Sequence, residues 1–243
     1  MTRLRLVLLN AALDGTRDST TRNFRRELDA DLVEYVVSDG QLPPAVGVED
    51  VDGVVVTGSR ASAYWDDQWI ADAAAWLHDA HAAGLPVLGV CFGHQLLARA
   101  LGGDVAAMDD FELGYRTVTQ TADGPLLAGL EDRFTVFTSH GDTVATLPPG
   151  AEVFAENDYG IHAFRLGHAF GVQFHPEYDQ EMARAVARGK AFLGDERIER
   201  VLDDITDQNY ARACEAKRLF ENFTDYVRTV RADGTSATVD GRV

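Results

Sequence analysis

This chain of 243 residues contains few cysteines and no apolar run long enough to cross a membrane. Its two cysteines, Cys91 and Cys214, lie far apart and show no C-x-x-C spacing. This pattern excludes a disulfide-rich scaffold, argues against a metal site and is typical of a reducing cytoplasm. The apolar run near the N-terminus, MTRLRLVLLNAALDG, also lacks the small-residue cleavage site of a signal peptide. We therefore expect a cytoplasmic protein whose first apolar run is a buried strand.

Positive charge is scarce as well. The chain has 39 acidic residues against 22 basic ones, a net charge of −17, and only Lys190 and Lys217 are lysines. Such a surface repels phosphate backbones and anionic lipid, so we expect neither nucleic acid nor a membrane as a partner. Acidic excess with few lysines resembles proteins of salt-loving organisms. Halophily is therefore a hypothesis, and an ordinary acidic enzyme is the alternative.

The first half of the chain alternates between segments typical of strands and segments typical of helices. The predicted strands are 3–10, 31–40, 51–59 and 85–90, and the predicted helices are 18–30, 65–84 and 93–103. The run LPVLGV at 85–90 is apolar throughout, which is typical of a parallel strand buried on both faces. This order predicts a doubly wound, mostly parallel α/β sheet.

The second half contains short strands separated by Gly, Pro and Asp turns, followed by helices. The predicted strands are 115–121, 134–140, 151–158, 161–167 and 169–175, which we expect to form antiparallel hairpins at the edge of the sheet. The predicted helices are 181–193, 196–207 and 209–230, the last with an apolar stripe that includes Phe220, Phe223 and Val227. The sequence thus predicts an α/β domain at 1–190, a helical C-terminal extension packed on it at 191–231, and a disordered tail at 232–243.

The strongest chemical signal is the segment Gly89-Val90-Cys91-Phe92-Gly93, between a buried strand and a helix. It has the G-x-C-x-G form of a nucleophile elbow, in which the glycines flank a sharp turn that leaves no space for a Cβ. At the N-terminus of a helix, a Cys91 thiolate would lie near the positive end of the helix dipole. The alternative is a buried structural cysteine, which the two glycines and the strand–helix context disfavour.

A thiol nucleophile needs a base, and the base needs a group that orients it. His175-Pro176-Glu177 offers both at the end of a strand, where residues two apart project to the same side. His175 would take the proton from Cys91 and return it to the leaving amine, while Glu177 would hold the imidazole tautomer. Other histidines lack a following carboxylate in a strand: His78, His81, His94, His162 and His168.

The third requirement is a pair of donors for the negative charge that develops on the attacked carbonyl oxygen. The N–H of Phe92, directly after the nucleophile, is one such donor by the geometry of an elbow. A second is expected from the loop after the third strand, where Gly58 and Ser59 follow Thr57. A simple turn is the alternative for this loop.

Three segments together, GVCFGHQLLARALGG, SHGD (139–142) and GVQFHPE, resemble the class I, or triad-type, glutamine amidotransferases, especially proteins similar to the glutaminase half of GMP synthase. The resemblance runs from the first strand to Tyr178. It implies a flavodoxin-like, three-layer fold and hydrolysis of glutamine through a γ-glutamyl thioester on Cys91, without a cofactor or metal. It also implies that Gln95 contacts the bound glutamine, and that Ser139, Gly141 and Asp142 hold its amino-acid end.

Some parts of the family pattern have a less certain meaning. The resemblance assigns no direct role to His140, and the purpose of Glu112-Leu113-Gly114 is open. Many members carry Gly-Gly-Pro in the oxyanion loop, where this chain has Gly58-Ser59-Arg60, so basal activity could differ. No ATP-binding synthetase segment with a phosphate loop follows the third motif.

Three functions therefore remain open. The chain could release ammonia from glutamine for a separate synthetase, such as one that makes GMP. It could instead act alone as a γ-glutamyl peptide or amide hydrolase, with the same three side chains and a different leaving amine. The least supported alternative is a binding module without activity. Space beyond the amide nitrogen would favour peptides, whereas a closed exit would favour delivery of ammonia to a partner.

Overall fold

A computed structural model describes residues 3–239, and describes side chains within 3–233. The strands are β1 (Leu4–Asn10), β2 (Ala30–Val36), β3 (Gly53–Val56), β4 (Val87–Val90), β5 (Asp104–Gln120), β6 (Arg133–Thr146), β7 (Glu152–Asn157), β8 (Gly160–Leu166) and β9 (Ala169–Val172). The helices are α1 (Arg17–Glu27), α2 (Gln68–Ala82), α3 (Phe92–Ala100), α4 (Gln180–Arg188), α5 (Asp195–Asp204), α6 (Asp207–Cys214) and α7 (Arg218–Val239). Among the described residues, none of the helices combines the length and the apolar character that a membrane span requires.

The nine strands form one sheet in the order β2-β1-β3-β4-β9-β8-β7-β5-β6. The pairs from β2 to β9 in this order are parallel. The side chains of β3 and β4 are buried on both faces, which explains why these strands are continuous apolar runs. The prediction of a mostly parallel central sheet is confirmed.

The antiparallel part of the sheet agrees with the predicted hairpins except at β9. β5, β6, β7 and β8 pair antiparallel with one another. β9 pairs antiparallel with β8 but parallel with β4, so it belongs to the centre of the sheet and not to its edge. Its four residues are buried, as expected for a central strand. As a result, the carboxyl end of β9 lies beside the carboxyl end of β4, where Cys91 follows.

Helices cover both faces of the sheet and make the fold three-layered, as predicted. On one face, Phe24 of α1 and Phe220, Phe223 and Val227 of α7 pack in a single core cluster with apolar side chains of β1. On the other face, side chains of α2 and α3 pack on β1 and β3. A third cluster joins α4 and α5 to β5 and β6.

The C-terminal helices differ from the prediction in the length of α7. The apolar stripe of α7 lies in the main core, so this helix packs on the domain as part of the layer that covers the sheet. We expected a disordered tail from residue 232, whereas α7 continues to Val239. Extension of an existing helix costs little free energy per residue, so polar residues can prolong a helix that is packed at its start. The remaining part of the predicted tail, 240–243, lies outside the described residues.

Candidate active site

Cys91 lies at the tight turn between β4 and α3. Its φ angle of 53° makes it the one residue other than glycine that has a positive φ within the described range. A non-glycine residue held in such a conformation costs on the order of 1–3 kcal/mol, and residues of this kind occur mainly at functional sites. The Cys91 N–H donates to the carbonyl of Val172 on β9, at 2.8 Å, and the Cys91 carbonyl accepts from the N–H of Gln95. The side chain is buried.

The two glycines of the elbow occupy positions where a side chain would not fit. A Cβ on Gly89 would lie 2.3 Å from the carbonyl oxygen of Gly93, and a Cβ on Gly93 would lie 2.4 Å from the carbonyl oxygen of Val56. These are backbone atoms, which cannot move without displacing β3 or α3. The close approach of the strand, the turn and the helix therefore requires glycine at both positions.

His175 and Glu177 lie after the carboxyl end of β9 and form a buried pair. The Nδ1 atom of His175 is 2.8 Å from Oε1 of Glu177. Backbone contacts fix the segment, because the His175 N–H donates to the carbonyl of Phe137 and Arg26 donates to the carbonyl of Glu177. Burial lowers the pKa of His175, but the nearby Cys91 and Glu177 side chains raise it to about 10. This direction is expected for an imidazole that lies between two groups able to carry negative charge.

Two further residues restrain the His175 ring. The ring of Tyr178 stacks on it, with 4.1 Å between centroids and an interplanar angle of 12°. Gly58 also lies against the imidazole, since a Cβ at Gly58 would be 2.8 Å from Cε1 of His175. Burial and the nearby Glu177 and Cys91 side chains hold the pKa of Tyr178 well above its ordinary value, so its phenol stays neutral. The sequence motifs indicate no role for Tyr178, although this residue directly follows the His175 motif.

The loop predicted to supply oxyanion donors follows β3 and is held by Thr57. The Thr57 hydroxyl accepts from the N–H of Ala11 and donates to the carbonyl of Gly58. The Ser59 hydroxyl accepts from the N–H of Ala61. Within residues 3–239, the backbone N–H groups of Gly58, Ser59 and Phe92 have no hydrogen-bond acceptor.

The residues predicted to bind the substrate form a hydrogen-bonded group beside Cys91. The Ser139 carbonyl oxygen is 4.0 Å from Sγ of Cys91. Nε2 of Gln95 donates to the carbonyl of Asp142 and to the side chain of Gln173, both at 3.0 Å. Gly141, between Ser139 and Asp142, contacts the ring of Phe111 so closely that a Cβ would lie 2.8 Å from it.

The carboxylate of Asp142 already has two partners in the chain. It accepts hydrogen bonds from the hydroxyls of Ser62, at 2.6 Å, and Tyr64, at 3.1 Å. The sequence did not indicate either hydroxyl, because both come from the segment between β3 and α2, far from Asp142 in the chain. These bonds tie the segment with the SHGD motif to the loop that follows the predicted oxyanion donors.

Glu112 and His140 fix the SHGD segment through hydrogen bonds of their buried side chains. Nε2 of His140 is 2.6 Å from Oε2 of Glu112, and Nδ1 is 2.9 Å from the carbonyl oxygen of Asp142. Glu112 also accepts from Asn157. Burial raises the pKa of Glu112, but the hydrogen bond to His140 and the His162 imidazole, 3.2 Å from the carboxylate, outweigh burial and lower it to about 2. The side-chain atoms of Glu112, His140 and His162 that could bind a metal ion lie within 4.8 Å of one another. In this structure the Glu112 carboxylate contacts both imidazole rings directly.

A cavity of about 190 Å³ opens beside His175. Its walls come from the loops around the site, from α1 with its preceding residue, and from α4 with the two residues that follow it. The lining residues are Ala12, Thr16, Thr20, Gly58, Ser59, Arg60, Ser139, His175, Tyr178, Met182, Ala185, Val186, Gly189 and Lys190. Of the predicted substrate-binding residues, Ser139 lines this cavity, while Gln95, Gly141 and Asp142 do not.

Known proteins with similar sequences include a GMP synthase and a γ-glutamyl peptidase. A GMP synthase (glutamine-hydrolyzing) of Thermomicrobium roseum is 44% identical over 126 residues, which cover 51% of this chain and 23% of that protein. Gamma-glutamyl peptidase 5 of Arabidopsis thaliana is 33% identical over 156 residues, which cover 61% of this chain and 62% of that protein. The chain thus matches under a quarter of the synthase and under two thirds of the peptidase.

The fold and the family model agree with these relatives. A glutamine amidotransferase from Thermotoga maritima superposes with a TM-score of 0.75 at 21% identity, covering 93% of this chain and 99% of the other. The family model for class I glutamine amidotransferases matches residues 16–188, which include Cys91, His175 and Glu177. The chain belongs to the class I glutamine amidotransferase family.

Proposed function

We propose that the chain hydrolyses the side-chain amide of glutamine, with Cys91 as nucleophile, His175 as general acid and base, and Glu177 as the group that orients His175. The observation that supports this most is the strained turn at Cys91 next to the buried His175–Glu177 pair. An exposed or structural cysteine would need neither the positive φ nor a paired imidazole beside it.

The first half of the reaction forms a thioester. His175 holds the proton of the Cys91 thiol, and the thiolate attacks the γ-carbonyl carbon of glutamine. When the tetrahedral intermediate collapses, the carbon–nitrogen bond breaks and His175 gives the proton to the leaving nitrogen, which departs as ammonia. The γ-glutamyl group remains bound to Sγ.

The second half uses water. His175 takes a proton from a water molecule, whose oxygen attacks the thioester carbon. The carbon–sulfur bond then breaks, glutamate leaves and the proton returns to Cys91. The net reaction converts glutamine and water to glutamate and ammonia.

Backbone donors and the SHGD segment complete the site in this proposal. The N–H groups of Phe92 and of Gly58 or Ser59 would stabilise the oxyanion, since they have no acceptor in the described chain. Gln95, Ser139, Gly141 and Asp142 would hold the amino-acid end of glutamine. The carboxylate of Asp142 and the side-chain Nε2 of Gln95 already make hydrogen bonds within the chain. We therefore assign the contacts with the substrate to free backbone groups and to the side-chain carbonyl of Gln95.

A separate synthetase is the proposed recipient of the ammonia. This part of the proposal is supported by the similarity to a GMP synthase, of which the chain matches 23%. No cofactor takes part in either half-reaction as written. A reducing cytoplasm is the proposed location, because the nucleophile is a free thiol.

A second candidate is the hydrolysis of γ-glutamyl peptides through the same thioester. The cavity beside His175 favours it, because it continues past the imidazole to the walls formed by α4, Arg60 and Lys190. The similarity to a γ-glutamyl peptidase agrees with this candidate. A binding module without activity has the least support, since each group that the reaction needs is present.

Ammonia release from glutamine by the purified chain tests the proposal, with Cys91→Ala as the matched control. We expect turnover that is lost in Cys91→Ala while circular dichroism shows the same fold. Equal turnover in the two proteins would refute the assignment of the nucleophile. Ammonia-free turnover of a γ-glutamyl peptide by a chain that is inactive on glutamine would favour the second candidate.

A further inference from the structure

Lys190 is one of two lysines in a strongly acidic chain, and it lines the cavity beside His175. Its ammonium group lies 4.8 Å from the centroid of the Phe111 ring, the same ring that packs on Gly141. Burial lowers the pKa of Lys190, the charge of Arg60 lowers it further, and Cys91 raises it. Lys190 is therefore a partly desolvated cation on the wall of the cavity that His175 and Arg60 also line.

Arg60 lies in the loop that follows β3, directly after Gly58 and Ser59. It lines the same cavity, and its guanidinium donates to the backbone carbonyl of Asp14, at 3.1 Å. Arg60 therefore gives this cavity a second positive charge besides that of Lys190.

Among residues 3–233, neither cation has a carboxylate partner. Lys217, the other lysine, pairs with Glu27. Within the part of the chain whose side chains are described, no carboxylate oxygen lies within 4.0 Å of the charged groups of Lys190 or Arg60. Two unpaired cations facing one cavity repel each other, and a bound anion would remove this repulsion.

The position of the two cations relative to His175 identifies the part of the substrate that they meet. His175 delivers its proton to the leaving nitrogen, so the leaving amine lies next to the imidazole. The cavity extends from His175 to Lys190 and Arg60. Of the residues assigned to the amino-acid end, Ser139 is one of its walls, whereas Gln95, Gly141 and Asp142 are not. Thr16, the residue before α1, also lines the cavity, so the positive end of the α1 dipole lies at the edge of this cavity.

We propose that Lys190 and Arg60 form a subsite for a carboxylate on the leaving amine, so that the chain prefers γ-glutamyl amino acids and peptides with a free carboxylate to neutral γ-glutamyl amides. The subsite rests on the proposed function, because it assumes that a γ-glutamyl group is transferred to Cys91. The apolar wall from α4, with Met182, Ala185 and Val186, would contact the side chain of the departing amino acid.

Two substrates that differ in a single charge test the subsite. γ-Glutamylglycine has a carboxylate on its leaving group, and γ-glutamylglycinamide has a neutral amide of nearly the same size. We expect the wild-type chain to have a higher kcat/KM for γ-glutamylglycine. In Lys190→Gln or Arg60→Gln this preference should fall about tenfold, the factor expected when one charge-assisted hydrogen bond is lost. Lys190→Arg should restore most of it.

Lys217→Gln is the matched control, because it removes the other lysine at a site outside the cavity and should keep the wild-type preference. An unchanged preference in both Lys190→Gln and Arg60→Gln would overturn the subsite. An equal loss on both substrates would overturn it too, since the cations would then bind the α-carboxylate of the glutamyl group.

Binding to Cys91→Ala separates the subsite from the proposed chemistry. Calorimetry on this variant compares the affinities for the two compounds without turnover. Tighter binding of γ-glutamylglycine, lost in Cys91→Ala/Lys190→Gln, would support the subsite even if the wild-type chain hydrolysed neither these compounds nor glutamine, an outcome that would refute the proposed reaction. Equal affinities for the two compounds would overturn the subsite.

Discussion

Gly58→Ala should reduce turnover through the position of His175. A Cβ at residue 58 would lie 2.8 Å from Cε1 of His175, and ordinary contacts begin at 3.4 Å, so one of the two groups must move. The imidazole is held by its hydrogen bond to Glu177 and by the stacked ring of Tyr178. A displacement of about 1 Å in an active site costs roughly a hundredfold in rate, and this smaller shift predicts a loss of about tenfold in kcat/KM.

The assay for this prediction is glutaminase turnover together with the free energy of unfolding in urea. Gly124→Ala is the matched control, because a Cβ there would have its nearest neighbour in Phe154, at an ordinary 3.8 Å. We expect Gly124→Ala to keep wild-type kcat/KM and both variants to remain folded. Wild-type kcat/KM in a folded Gly58→Ala protein would refute the argument that His175 is fixed by close contact with this loop.

Three further predictions concern the acid–base groups and the surface charge. Glu177→Ala should slow glutamine hydrolysis less than His175→Ala, because the first loses the orientation of the base and the second loses the base; the reverse order of kcat values would show that the roles are misassigned. Glu112 has a pKa of about 2 in the folded chain against an ordinary 4.5, so its contribution to stability is complete above pH 4.5 and is lost as the pH falls toward 2. The free energy of unfolding in urea should therefore decrease more steeply over this pH range for the wild type than for Glu112→Gln. Equal slopes would contradict the low pKa of Glu112. If the net charge of −17 is an adaptation to salt, the chain should be more stable in molar KCl than in low salt, and equal stability would reject halophily.

The sequence predicted the central sheet and the elbow well because local patterns determine both. β3 and β4 are short apolar runs buried on two faces, and Gly89 and Gly93 are fixed by contacts with neighbouring backbone. The central place of β9 was not predicted. Its four apolar residues are compatible with either a parallel or an antiparallel partner, and the choice depends on the packing of the whole sheet.

The surroundings of the site were predicted less completely because they depend on contacts between distant segments. Tyr178 stacks on His175, and Ser62 and Tyr64 occupy the carboxylate of Asp142, yet no spacing in the sequence indicates these contacts. The position of Lys190 beside the cavity depends on where α4 ends against the sheet. Local motifs thus predicted the reacting groups, while tertiary packing determines the space for the leaving amine.

Site-specific alkylation tests the central claim most directly, because the chain contains two free cysteines that differ in environment. A chloroketone analogue of glutamine should alkylate Cys91 and leave Cys214 unmodified, and added glutamine should slow the reaction. Peptide mass spectrometry after a timed quench measures both cysteines in the same sample. Selective labelling of Cys91 that glutamine prevents is the result we predict. Equal labelling of Cys91 and Cys214, or labelling of Cys91 that glutamine does not slow, would contradict a glutamine site built around this thiol.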